Sequence, residues 1–78
     1  LSFNIYPNPA SAQVMINVSV LQPGTTLSLH NVLGQTLFTK TVTDKITPVN
    51  VSPYAAGVYF FECKQNGLTA IKQFVINR

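Results

Sequence analysis

Charge is scarce in this chain. Five basic and two acidic side chains stand among 78 residues, 9% of the total, where a soluble protein carries roughly a quarter. The basic residues, Lys40, Lys45, Lys64, Lys72 and Arg78, are spread along the chain and leave a net charge of +3. A nucleic-acid interface needs a concentrated basic stripe, so no nucleic-acid partner is expected. The two acids, Asp44 in a turn and Glu62 within a strand-like run, are too few for calcium, which takes several carboxylates. They are also too scattered to pair as the two carboxylates of a glycosidase. His30 is the one histidine and Cys63 the one cysteine. A zinc site with three or four clustered ligands is therefore excluded, as is any internal disulfide. No cofactor is expected.

Other absences narrow the reading further. There is no G-x-S-x-G elbow and no phosphate-binding glycine loop, and Cys63, set among aromatics, reads as a small core hydrophobe rather than a nucleophile. The chain is read as a non-enzyme. No apolar run approaches the roughly 18 residues of a membrane span, so no transmembrane segment is expected. The 78 residues contain no signal-peptide pattern and open on Leu1 without an initiator methionine. The expectation is a single domain over residues 1–78, cut from a larger polypeptide. No segment sustains the i, i+3, i+4, i+7 stripe of an amphipathic helix.

What the chain has is β-branched residues: Val, Ile and Thr make up 22 of the 78, and these favour strands. Val14–Leu21 alternates, with Val14, Ile16, Val18 and Val20 expected inward and Asn17 and Ser19 outward. After a turn at "QPG", Thr26–Val32 places Leu27 and Leu29 inward and Ser28 and His30 outward. The stretch "VLGQ" then turns the chain. Leu33 disfavours positive φ, so a three-residue loop with Gly34 in the left-handed position fits better than a tight type I′ turn. Gln35–Val42 and Lys45–Val51 follow as strands, and Pro48 marks the second as an edge strand, because it cannot donate to a ladder. Gly57–Lys64 is the most apolar strand.

Asn66-Gly67 is the preferred pair for a type I′ hairpin. A two-residue loop there pairs Gln65 with Leu68, Cys63 with Ala70, Phe61 with Lys72 and Tyr59 with Phe74. One face then carries Tyr59, Phe61, Cys63, Ala70, Phe74 and Ile76, plus Lys72. A slip of one residue would scatter polar side chains over both faces. With the opening strand Leu1–Tyr6, this makes about seven short strands, and the expected fold is all-β: a small Ig-like antiparallel β-sandwich. Lys72 is the odd residue on the inward face. Either its stem covers core surface while the ammonium reaches solvent, or it is a recognition charge on an edge strand.

The opening strand runs into "YPNP", Tyr6, Pro7, Asn8 and Pro9. Each proline restricts the residue before it to extended geometry and removes a backbone donor, so the stretch reads as a stiff change of direction. "NPAS" also has Asn and Pro in the first two places favoured by a type I turn.

Four blocks in order, "NIYPNPAS", "LSLHNVLGQTL", "SPYAAGVYFFEC" and "KQFVINR", resemble the type A C-terminal sorting domain of the type IX (Por) secretion system of certain Gram-negative bacteria. The resemblance covers essentially all 78 residues. It implies an Ig-like sandwich at the carboxyl end of a secreted enzyme or adhesin, with a cargo domain N-terminal to it in the same chain. It further implies passage from the periplasm through the outer-membrane translocon, and removal at the cell surface by a sortase-like cysteine peptidase that can attach the cargo to lipopolysaccharide. The family's glycine-aromatic block falls on Gly57, Val58 and Tyr59. Its late block falls on Lys72, Phe74, Val75 and Ile76, and its basic terminus on Arg78, so these five residues are the candidates for recognition. Gln73 departs from members that carry two lysines at this step. Tyr6, Pro7, Asn8, Pro9, Gly34, Gly57, Tyr59, Asn66 and Gly67 are expected to be structural. The alternative is an Ig-like or fibronectin-like accessory module of an extracellular protein, either a structural spacer or a carbohydrate binder, the latter needing a row of exposed aromatics.

Overall fold

A computed structural model describes residues 2–77; Leu1 and Arg78 lie outside the described residues. Seven strands form: β1 (Phe3–Tyr6), β2 (Gln13–Val18), β3 (Thr26–Asn31), β4 (Thr36–Thr41), β5 (Ile46–Asn50), β6 (Gly57–Gln65) and β7 (Leu68–Ile76). They make two antiparallel sheets, one in the order β1-β2-β5 and the other β4-β3-β6-β7. Each strand is short, and alternation decides which residues meet between the sheets. Phe3, Val14, Ile16, Val18 and Val49 come from the first sheet, and Leu27, Leu29, Phe61, Cys63, Phe74 and Ile76 from the second; all are buried. Phe61 and Phe74 stack with centroids 4.9 Å apart, and Phe38 meets Phe61 edge-on at 6.4 Å. This core is the expected all-β sandwich, held without a disulfide around a free, buried Cys63.

The hairpin chemistry follows the local residues. Asn66 and Gly67 have φ of 50° and 80°, the left-handed pair that a type I′ turn requires. The register runs unbroken from Gln65↔Leu68 through Cys63↔Ala70, Phe61↔Lys72 and Tyr59↔Phe74 to Gly57↔Ile76. At the other hairpin, Gly34 has φ of 81°, and Val32, Leu33 and Gly34 form a three-residue loop closed by Asn31 N–H donating to Gln35 C=O at 3.1 Å. The Asn31 side chain steadies that loop, its Oδ1 accepting from the N–H groups of Leu33 and Gln35. Pro48 sits opposite Met15 on β5, an edge strand of its sheet.

One expectation changes. Val20 does not face the core; it is 57% exposed. The strand ends at Val18 because the chain must leave one sheet for the other. In crossing, the Val20 carbonyl turns inward, where the Gln65 amide donates to it at 2.6 Å. Gln65 also donates to Thr25 Oγ1 at 3.0 Å, and Thr25 in turn donates to Gln22 C=O at 2.7 Å. Gln65 and Thr25 are buried polar residues, and this chain of bonds satisfies both, as burial demands. Lys72 does lie opposite Phe61, on the side of β7 that carries Phe74 and Ile76, yet it is exposed. The smaller sheet does not extend over the first half of β7, so the ammonium pays no burial penalty.

Gly67→Ala places a side chain at φ of 80° and is expected to destabilise the domain by about 1 kcal/mol or more, seen as a lower urea midpoint. Burial pushes the Cys63 thiol pKa up from its ordinary value, and a buried, protonated thiol is a poor nucleophile. A thiol reagent should therefore label the folded domain only after denaturant is added; rapid labelling in buffer would contradict this packing.

Candidate recognition surface

The late block of the sequence lies on β7, an edge strand of nine residues. Its two halves have different surroundings. Phe74 and Ile76 are each 1% exposed and belong to the core, and Val75 is half-buried. Thr69, Ile71, Lys72 and Gln73 are exposed. Of the five candidate recognition residues, the structure thus places two in the core, one at a partly covered edge, and one, Lys72, in solvent. Arg78 falls outside the described residues.

The covering at the upper edge is supplied by the start of the chain. After β1, the segment Tyr6–Ala10 crosses from the three-stranded sheet to β7. Its Tyr6-Pro7 and Asn8-Pro9 bonds are both cis. Asn8 Oδ1 accepts from Val75 N–H at 3.1 Å. Ala10 N–H donates to Val75 C=O at 2.8 Å, and Asn77 N–H donates to Ala10 C=O at 2.8 Å. Ala10, itself 1% exposed, forms an isolated parallel bridge with Ile76. The stiff Pro-Asn-Pro stretch is therefore a strap: it ends β1 and holds the last turns of β7 in place.

The glycine-aromatic block positions the base of the same hairpin. Gly57 opens β6 opposite Ile76. Tyr59 is buried, its hydroxyl donating to Ala55 C=O at 2.7 Å, and its ring lies 6.0 Å from Phe74 and 6.1 Å from Tyr54. These contacts tie the "SPYAAG" connector to β7.

On the outer face of the four-stranded sheet, His30 Nε2 lies 3.2 Å from Glu62 Oε1, and His30 Nδ1 lies 3.1 Å from Thr36 Oγ1. His30 and Glu62, with Asn31, Val32, Gly34, Phe60 and Ile71, line a shallow open hollow. His30 and Glu62 are not directly opposite, since Ser28 faces Glu62 and His30 faces Phe60. This diagonal contact escaped the sequence reading; once β3 is placed beside β6, His30 and Glu62 are outward residues on neighbouring strands. Among the described residues no three His, Cys, Asp or Glu side chains gather in a way that could hold a metal ion. No helix is long and apolar enough to cross a membrane.

Residues 4–77 match the family model for the secretion system C-terminal sorting domain. The chain belongs to this family. The sorting domain is a C-terminal signal for type IX secretion, which implies interaction with that secretion system, a cargo fused N-terminal to it, and export toward the cell surface or medium. A sorting signal is not itself catalytic. No curated protein matches the chain. The carbohydrate-binding alternative is not favoured: Tyr6 is 42% exposed on the outer side of the small sheet, whereas Tyr59 is buried in the core with Tyr54 packed beside it, so no aromatic row forms.

Removing the Asn8 acceptor tests the strap. Asn8→Ala should destabilise the domain by about 0.5–1.5 kcal/mol, the range for one hydrogen bond, and should speed amide exchange at Val75 by more than at core Cys63, whose exchange follows global stability. Equal protection of Val75 in both proteins would mean that the strap does not hold the strand.

Proposed function

We propose that the terminal strand, Lys72 to Arg78, is the part of this sorting domain that the translocon reads, with Lys72, Phe74, Val75, Ile76 and Arg78 forming the signal. The family membership supplies the role of the domain; the observation that carries the choice of strand is the position of β7 at a sheet edge. Ahead of the strap, which occupies Val75 and Asn77, the edge offers backbone and outward side chains together at Lys72 and Gln73, and strand addition to such an edge is a recurring mode of recognition. In this reading the cargo domain precedes residue 1 and traverses the periplasm. A sortase-like peptidase at the outer membrane then removes the sorting domain, leaving the cargo on the cell surface or released. Phe74 and Ile76 act indirectly, by holding β7 flat against the core, while Lys72 and Arg78 contribute charge.

A reporter carrying this domain at its carboxyl end, expressed in a host with the secretion system, tests the reading. The unmodified domain should deliver the reporter to the surface, and deletion of the domain should leave it in the periplasm. Lys72 is exposed, and an exposed charge contributes at most about 1 kcal/mol, so the double variant Lys72→Gln with Arg78→Gln is checked by thermal melting and is expected to remain folded. If the charges are part of the signal, the folded double variant accumulates in the periplasm. Normal delivery would remove the two charges from the signal.

A further inference from the structure

The edge of β7 is half closed and half open, and that division goes beyond which residues form the signal. Val75 turns its N–H and C=O away from β6, toward Asn8 and Ala10. The β6–β7 register is continuous from Leu68 to Ile76. In an antiparallel ladder alternate residues aim their main-chain groups to the same side. Thr69, Ile71 and Gln73 therefore aim theirs outward as Val75 does, but the strap stops at Val75 and none of the three has a partner on that side among the described residues.

Proteins blunt such edges with proline, bulges, short strands or charge. The other three edges in this fold carry one or more of these devices. β1 has four residues, β5 contains Pro48, and β4 has a bulge at Leu37 and carries Lys40. The open part of β7 has no proline and no bulge, and Lys72 is its one charge. It is flanked by apolar side chains in solvent, Leu68 at 57% and Ile71 at 60% exposed.

We propose that the outer edge of β7 from Leu68 to Gln73 is a strand-addition site for an extended segment of the secretion machinery, bounded above by the Tyr6–Ala10 strap. This rests on the sorting role argued above. The five steps from Leu68 to Gln73 span about 17 Å at the usual rise per residue, so the site takes a short strand of five or six residues. Its chemistry follows from the two faces of the edge. On the side of Ala70 and Lys72 the incoming strand carries an acidic residue to meet the ammonium. On the other side an apolar residue covers Ile71, next to Phe60 in the shallow hollow. A second copy of this chain is the poorer occupant. Each copy has a net charge of +3, and antiparallel pairing centred on Ile71 sets the two Lys72 side chains diagonally across one face, where like charges repel.

Proline placed where an edge N–H faces solvent removes no bond of the internal ladder. Gln73→Pro and, separately, Ile71→Pro in the reporter fusion should leave a folded domain, judged by thermal melting and by retained amide protection at Val75. Surface delivery should fall at least tenfold below that of the matching alanine variants, Gln73→Ala and Ile71→Ala, which lose the side chain but keep the outward N–H. A folded proline variant that is delivered normally overturns the proposal. Amide exchange on the unmodified domain gives a readout that does not depend on the proline variants folding. Adding translocon purified in detergent should slow exchange at Thr69, Ile71 and Gln73 and leave Val75 unchanged; no slowing overturns the proposal. Slowing that appears without translocon and grows with domain concentration identifies a second copy as the occupant and also overturns it. If the unmodified domain fails to deliver the reporter, the sorting reading falls and takes this inference with it. Delivery by both the unmodified and the proline forms removes this inference alone.

Discussion

Asn66 and Gly67 hold φ of 50° and 80°, and this two-residue turn decides which of the residues on either side of it face each other. Because side chains alternate strictly along a strand, one register brings Phe61, Cys63 and Phe74 to the same side, and a slip of one would send that set to solvent. Phe61 and Phe74, stacked at 4.9 Å, are the centre of the resulting core. Leu27 and Leu29 lie opposite Cys63 and Phe61 on the neighbouring strand, and the smaller sheet closes over them with Val14, Ile16 and Val18. In a domain of this size, with a free cysteine and little charge, packing organised by that turn takes the place of covalent staples.

The sheets differ in size, and from that difference comes the half-open edge of β7 proposed as the recognition surface. The smaller sheet covers β7 fully only over Phe74 and Ile76, leaving Leu68, Thr69, Ile71, Lys72 and Gln73 exposed and Ala70 half-buried. The strap from Tyr6 to Ala10 then occupies the edge of the covered half through Asn8 and Ala10. The last strand is thereby anchored at its end and accessible near its turn.

Polar groups drawn into the interior are few, and each is answered. Gln65 bridges the Val20 carbonyl and the Thr25 hydroxyl, and the Tyr59 hydroxyl meets Ala55. None of the buried side-chain nitrogen and oxygen atoms among the described residues lacks a partner. These bonds sit where the chain changes sheets or enters β6. They stabilise crossings that the hydrophobic effect, being non-directional, would not define.

Local chemistry was legible in the sequence alone. The β-branched content, the alternation of Val14, Ile16 and Val18, the Asn66-Gly67 turn, the left-handed Gly34 and the edge-seeking Pro48 all express steric preferences of a residue and its near neighbours. With them came the all-β fold, the hairpin register and, through the ordered blocks, the family. Tertiary structure alone decided what depends on distant partners. Asn8 and Val75 are 67 residues apart, and no local rule joins a proline-bracketed asparagine to the last strand. Val20 continues an apolar alternation but lies where the chain leaves its sheet, so its exposure follows from topology. Lys72 sits on the inward side by register, and whether that side is covered depends on how far the opposite sheet extends. Pairing periodicity is a property of one strand; coverage is a property of two sheets, and only their packing sets it.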